Sequence, residues 1–220
     1  MDNLNLLNCD CMDLMAKYPN NHFDLAIVDP PYGGGGDEKK EGGKRFGGRF
    51  DKYKLSRDGG RSKKYDKKIL NWDYAPDQSY FDELFRVSKN QIIWGGNYFA
   101  LPPNRGFLVW RKLTISESFS MAMCEYAWSS FNSNAKWIEL APQDSNRFHP
   151  TQKPVKIYSW ILNNYAKTGD KVLDTHLGSG SIAIACYDMG FQLTGCEIDK
   201  EYYDNMIKRV KTHTSQLRLF

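Results

Sequence analysis

Asp29-Pro30-Pro31-Tyr32 closes the apolar run Asp24-Leu25-Ala26-Ile27-Val28, and its four residue types describe a pocket for an amino group. An ionised Asp29 carboxylate only accepts hydrogen bonds, and Pro30 offers a carbonyl without a backbone N–H. Both therefore favour an NH2 donor over a carbonyl substrate. Pro30 and Pro31 stiffen the turn in an extended form, and Tyr32 brings a flat face against which a planar base withdrawn from its helix can stack. These four residues are the candidate catalytic set.

A second chemical segment lies far along the chain. Lys171-Val172-Leu173-Asp174-Thr175-His176-Leu177-Gly178-Ser179-Gly180 reads as a buried strand, a glycine-rich turn and a helix start. Gly178 and Gly180 are expected to let a ligand approach the backbone. The following helix carries Ile182, Ala183, Ala185, Cys186 and Met189 and stops at Gly190. Phe191 to Glu197 reads as the next strand, and Glu197 at its end is placed to accept hydrogen bonds from ribose hydroxyls. Taken alone, Gly178-Ser179-Gly180-Ser181-Ile182-Ala183 also satisfies a loose dinucleotide fingerprint, so a nicotinamide-dependent oxidoreductase is a second reading. That reading leaves the amine pocket unexplained.

Together the two segments resemble the S-adenosylmethionine-dependent amino methyltransferases of DNA, in the permuted order with the catalytic tetrapeptide ahead of the cofactor turn. His149-Pro150-Thr151-Gln152-Lys153-Pro154 resembles the family's element before that turn, and Asn8-Cys9-Asp10-Cys11 its adenine-contacting strand end. Ile92 to Asn97 and Met121 to Trp128 resemble its later strands, and small phage-encoded adenine-N6 enzymes are the most similar type. The resemblance implies an α/β fold of seven mostly parallel strands with helices on both faces and a final antiparallel hairpin. It also implies S-adenosyl-L-methionine as cofactor. Asp29, Asp174 and the Gly178-Ser179-Gly180 turn would surround its methionine moiety, with Thr151 and Lys153 at the methionine end. Glu197, with Ile198 and Asp199 after it, would meet the ribose, and Asp10 with Cys11 the adenine. His176 stands where the family usually has phenylalanine. Asp at the head of the tetrapeptide favours adenine-N6 over cytosine-N4. RNA methylation, methylation of a protein amide and a non-catalytic DNA-binding module are the other readings weighed.

Composition fits one domain spanning 1–220: 41% of the 220 residues are apolar and 14% aromatic, enough for a single α/β core. No run of 18 apolar residues occurs, and Met1-Asp2-Asn3 lacks a signal-peptide layout, so a cytoplasmic protein is expected. Five cysteines, at 9, 11, 124, 186 and 196, form no CxxC pair, and no metal is expected.

The net charge of +4 hides an asymmetry. Residues 33 to 68 hold 13 Lys and Arg against 6 Asp and Glu, with 10 of the 18 glycines. An insertion over about 33–70 is therefore expected to be a flexible loop that contacts DNA phosphates through Lys39, Lys40, Lys44, Arg45, Arg49 and Lys52. Duplex DNA with a flipped base is the expected partner. A homodimer is a further expectation, in line with several relatives. The tail 212–220 ends in Gln216-Leu217-Arg218-Leu219-Phe220, which resembles a peptide that docks on the replication sliding clamp.

The remaining pattern supplies the scaffold. Strands are expected at 4–8, 24–28, 91–94, 106–111 and 121–128, with helices over 78–89 and 154–167. Asp199 is expected to cap a last helix whose Tyr203, Met206, Ile207 and Val210 face inward. Only about twenty residues, Ser129 to Phe148, are available for the recognition segment such family members usually carry, so relaxed specificity, or reading by the 33–70 loop or a second subunit, is the alternative expectation.

Overall fold

The computed structural model describes residues 2–33, 74–118, 122–142, 147–149 and 151–216. Eight strands form one sheet: β1 (Leu4–Leu7), β2 (Leu25–Val28), β3 (Gln91–Trp94), β4 (Phe107–Lys112), β5 (Cys124–Ser129), β6 (Lys136–Leu140), β7 (Lys171–Asp174) and β8 (Gln192–Cys196). Their spatial order is β1-β8-β7-β2-β3-β5-β4-β6. Only β5 runs against its neighbours, antiparallel to both β3 and β4, while β6 returns parallel to β4 at the edge.

Two expectations need correcting here. The sheet has eight strands where seven were expected, because Lys136–Leu140 forms an edge strand within the stretch assigned to target recognition. Its signal was weak: the Lys136, Trp137 and Glu139 side chains face solvent, so no apolar stripe marks it. The reversed strand is also interior in space and mid-chain in sequence, so the antiparallel pair does not close the sheet.

Alternation along each strand divides the core into two layers. Leu25, Ile27, Ile92, Trp94 and Val172 face one side, where α3 (Val155–Tyr165), α4 (Ser181–Met189) and α5 (Lys200–Thr214) cover them. Ala26, Val28, Ile93 and Leu173 face the other, under α1 (Cys11–Met15) and α2 (Gln78–Val87). Both layers are closed by fully buried side chains such as Trp94, Leu84 and Ile161, each aliphatic among them contributing roughly 1.5–3 kcal/mol. The face expected of α2 and its end, Phe81, Leu84, Phe85 and Ser88, is buried except at the half-buried Phe85, whereas α5 turns Tyr202 inward and leaves Tyr203 and Ile207 half-buried. The five-residue α1 is too short to show a helical period.

Helix starts sit where the side-chain chemistry puts them. Asp77 accepts the Ser79 N–H at 3.0 Å and Asp199 the Tyr202 N–H at 2.9 Å, each satisfying an otherwise orphaned donor. Gly190 ends α4 in the left-handed region at φ 75°, as expected of a glycine stop. Among the described residues, no helix is long and apolar enough to cross a membrane.

Candidate active site

Parallel strands deliver their last residues to one edge of the sheet, and in open α/β sheets that edge binds ligands. Here β2 ends beside Asp29, β7 at Asp174 and β8 beside Glu197. A cavity of about 380 Å³ opens along this edge. Asp29 and Pro31 line one end. Asp10, Cys11, Thr151, His176, Gly178, Ser179, Glu197 and Ile198 line the rest, with Lys153 and the buried Tyr158 between. The two segments singled out in the sequence, some 145 residues apart, thus share one chamber. Tyr74 and Pro76 also line it, and no sequence signal distinguished them. A larger cleft of about 460 Å³ lies beside Gln91 and Trp128, at the start of β3, but no carboxylate, thiol or imidazole lines it.

Three of the expected cofactor residues serve the scaffold instead of the cavity wall. Asp199 is the α5 cap. Asp174 is 2% exposed beneath the turn, its Oδ1 accepting the His176 N–H at 2.9 Å. Burial pushes its carboxyl up to about 8, with Asp29 and Glu197 adding to the rise. Gly180 turns toward α5: a Cβ there would stand 2.4 Å from Met206 Cγ, and φ is 72°. Helix packing and backbone handedness, rather than ligand approach, therefore explain this glycine. At Gly178 a Cβ would stand 3.3 Å from the His149 ring, at φ 48°.

Glu197 is held by backbone. Its Oε2 accepts the Gly178 N–H and its Oε1 the Asp199 N–H, both at 2.9 Å. Burial raises its carboxyl above the ordinary range, and these donors oppose the rise. A carboxylate has about four lone-pair sites, so two remain for a ligand. Asp10 caps α1 through Met12 N–H at 2.7 Å, and burial pushes the Cys11 thiol up to about 11.

The buried Tyr80 hydroxyl is 2.6 Å from Thr175 Oγ1, which is 2.9 Å from His176 Nδ1, so a short polar chain orients the His176 ring. Burial pulls its pKa down to about 4, so the ring is neutral at physiological pH.

The catalytic end is built from side chains. Tyr32 donates to Asp29 Oδ1 at 2.7 Å, and Lys153 donates to Asp29 Oδ2. Pro30 is buried behind them. Lys153 does not line the methionine end as a free cation. It is 3% exposed, and its Nζ also lies 3.2 Å from Glu125 Oε2. Glu125 Oε1 in turn meets Lys112 Nζ at 2.7 Å. Burial alone would lower the Lys153 pKa, but the Asp29 and Glu125 carboxylates hold it above the ordinary value. Sequence reasoning missed Glu125 and Lys112; the one available signal was a lone acid inside the strand 121–128. Tyr32 stacks on Tyr98 with centroids 4.8 Å apart, and Gly95 lets the ring pass where a Cβ would stand 2.1 Å away. One face of Tyr32 is thus already covered.

Lys39, Lys40, Lys44, Arg45, Arg49 and Lys52, and the tail residues Leu217, Leu219 and Phe220, lie outside the described residues.

A mostly parallel sheet between two helical layers, with a carboxylate-rich cavity at its carboxyl edge, defines a nucleotide-handling α/β enzyme. The family described as DNA methylase, the N6/N4 methyltransferases, matches residues 60–209, and the chain belongs to that family. The match begins after the Asp29–Tyr32 tetrapeptide. YubD of Escherichia coli K12, named as a methylase, is 26% identical over 215 residues, covering 88% of this chain and 84% of YubD. M.HpaI, a type II methyltransferase of Haemophilus parainfluenzae, is 36% identical over 62 residues, or 28% of this chain and 20% of M.HpaI. Among solved structures, the cytosine-N4-specific PvuII DNA methyltransferase has a similar fold (TM-score 0.63, 12% identity, 96% of this chain and 92% of that one). So has M1.HpyAVI in complex with SAM (TM-score 0.55, 20% identity, 94% and 99%).

Proposed function

We propose that this DNA methyltransferase moves the methyl group of S-adenosyl-L-methionine to the exocyclic N6 amino group of adenine, acting as one domain over 1–220. The observation that supports the reading is that one cavity is bounded by Asp29 at one end and by Gly178, Ser179 and Glu197 at the other. In this reading Asp29 is the amine acceptor and the turn at Gly178 holds the nucleotide, both within that chamber. Two unused lone pairs on Glu197 fit ribose hydroxyls, and Asp10 and Cys11 lie beside it where an adenine ring would follow. The His176 ring offers the cavity a polar nitrogen that phenylalanine lacks.

When bound, the cofactor supplies a methyl made electrophilic by its sulfonium. The protein supplies geometry and charge. An exocyclic amine is a poor nucleophile because its lone pair is delocalised into the ring. Asp29 and the Pro30 carbonyl, by accepting its two hydrogens, favour a tetrahedral nitrogen whose lone pair faces the methyl carbon. The Asp29 carboxylate also stabilises the positive charge that develops on that nitrogen. Because Tyr98 covers one face of Tyr32, an incoming base stacks on the remaining face or displaces Tyr98. Stacking offsets part of the unstacking cost of a few kcal/mol.

Asp at the head of the tetrapeptide supports adenine, as the family resemblance implies. Methylating DNA with radiolabelled cofactor, digesting it to nucleosides and identifying the product by mass spectrometry tests the reading. N6-methyladenine is the expected product. N4-methylcytosine would move the assignment to the other branch, and label confined to RNA would overturn the DNA substrate.

The basic segment contributes the phosphate grip in this reading, and the tail from Gln216 the clamp contact. Replacing Lys39, Lys40, Lys44, Arg45, Arg49 and Lys52 by Gln should weaken DNA binding. It should also flatten the plot of log affinity against log salt by about 0.9 for each phosphate no longer neutralised. An unchanged salt slope removes the segment from the interface.

A further inference from the structure

Two features of the Asp29 environment are unusual for a solvated α/β edge. The carboxylate is shared between a phenol and a lysine, and that lysine is shared between two carboxylates. Lys153 is nearly fully buried and lies 5.0 Å over the Trp94 ring. Its ammonium has Asp29 and Glu125 as counter-ions, and Glu125 is anchored from its far side by Lys112. Glu125 reaches this place because of the sheet's one irregularity. β5 runs antiparallel, so its beginning, not its end, arrives at the carboxyl edge; Glu125 pairs with Trp110 near the end of β4. A parallel strand in that position would have brought the opposite end of its sequence.

The chemistry proposed above changes the charge on Asp29. As the nitrogen–carbon bond forms, the sulfur–carbon bond breaks and its electron pair stays on sulfur, neutralising the sulfonium. The nitrogen is left cationic. One N–H bond then breaks, its electron pair returns to nitrogen, and the proton passes to the Asp29 carboxylate before leaving to water. While Asp29 holds that proton it is neutral. A buried lysine paired with Asp29 alone would at that moment become an isolated interior cation, which is strongly unfavourable. Proton uptake would be opposed in proportion.

We propose that Glu125 is a positioning residue for methyl transfer, keeping Lys153 charge-paired while Asp29 takes the proton shed by the methylated nitrogen. Lys153 already sits between the two carboxylates, so a small shift of its Nζ toward Glu125 compensates the loss. Lys112 keeps Glu125 from following. The cluster of two carboxylates and two ammoniums is neutral overall before the reaction and never contains an unpaired lysine during it.

This inference rests on the methyltransferase reading, and the experiment separates the two. Full-length wild-type protein and the variants E125Q, K153M and E125Q/K153M are compared for single-turnover methyl transfer to DNA, with cofactor and DNA affinity measured on the same samples. E125Q should lower the transfer rate about 10- to 100-fold while both affinities stay within about threefold. Adding E125Q to K153M should cost little more than K153M alone, since Glu125 acts through Lys153. Cofactor titration gives the folded fraction, so a merely structural Glu125 would show fewer binding sites with a normal rate per site. That result, or an E125Q rate within twofold of wild type, overturns the inference and leaves the methyltransferase reading intact. Absence of methyl transfer by the wild type to any DNA removes both.

Discussion

The two ends of the cavity hold their carboxylates by different means. At the nucleotide end, backbone N–H groups do the holding: Gly178 and Asp199 on Glu197, Met12 on Asp10, His176 on Asp174. At the amine end, Asp29 is held by the side chains of Tyr32 and Lys153, with Glu125 and Lys112 behind. A backbone donor is fixed by the chain trace and cannot change its charge. A side-chain partner can rotate, and an ion pair can be rearranged. In the proposed reaction, the end that only binds is thus preorganised rigidly, whereas the end whose charge changes is surrounded by groups able to redistribute it.

The strongest way to break this contrast is to remove one carboxylate from each end. Asp29→Ala should lower transfer on the order of 10³-fold or more, with cofactor affinity within about threefold of wild type. Glu197→Ala should do the reverse, weakening cofactor binding about 10- to 100-fold, because hydrogen bonds to a charged acceptor are worth roughly 1.5–3 kcal/mol. It should also lower stability, since two backbone donors lose their acceptor. Isothermal titration and single-turnover transfer on both variants decide the matter. Equal losses of binding in the two would erase the distinction between the ends.

The same contrast explains what was readable in the sequence. The Asp77 and Asp199 caps span two or three residues, so local residue types suffice to place an acid before an apolar helix. The β2 and β7 strands are short unbroken apolar runs, and their turn residues announce where the chain reverses. Nothing local links Lys153 to Asp29, 124 residues earlier, or Glu125 to either. The pairing exists only because β5 is reversed, and strand direction is not written in a strand's own composition. Edge strand β6 escaped for a related reason: half its residues face solvent, so its pattern resembles a polar loop. Most residues that the family resemblance named line the cavity, whereas Gly180 and Asp199, also named, do not line it and take part in packing and capping.

A smaller effect sharpens that last distinction. Gly180→Ala introduces a Cβ 2.4 Å from Met206 Cγ at a left-handed φ of 72°. The expected cost is about 1–3 kcal/mol of stability, read as a lowered denaturant midpoint with unchanged cofactor affinity per folded molecule. Loss of affinity without loss of stability would return Gly180 to the ligand side. Met206 is flexible and absorbs part of the clash, so the left-handed backbone carries most of the penalty.

Asp174 is the exception within the backbone-held end, because a single N–H holds it and burial dominates. Its folded pKa of about 8 stands above its ordinary value of 3.8. Between those values the folded state keeps a proton that the unfolded state has released, so stability falls as pH rises. Burial acts oppositely on His149 and His176, holding both at about 4 against an ordinary 6.5. Between pH 4 and 6.5 the unfolded state therefore binds up to two more protons there, and stability rises with pH. Two histidines outweigh one aspartate below pH 6.5, and Glu197, also raised by burial, softens the climb. Above pH 6.5 the aspartate dominates up to about pH 8, with a slope of up to about 1.4 kcal/mol per pH unit; beyond that the Cys11, Cys186 and Cys196 thiols, all raised by burial, keep protons that the unfolded chain releases. Urea denaturation across pH 4.5 to 9 should accordingly show greatest stability near pH 6.5, an aspartate-driven decline to about pH 8 and a thiol-driven decline beyond. In Asp174→Asn the decline between pH 6.5 and 8 should disappear while the histidine-driven rise persists. A wild-type curve that stays level from pH 6.5 to 8 would mean that Asp174 ionises normally in the folded protein, and that its one backbone donor offsets burial more fully than the donors on Glu197 do.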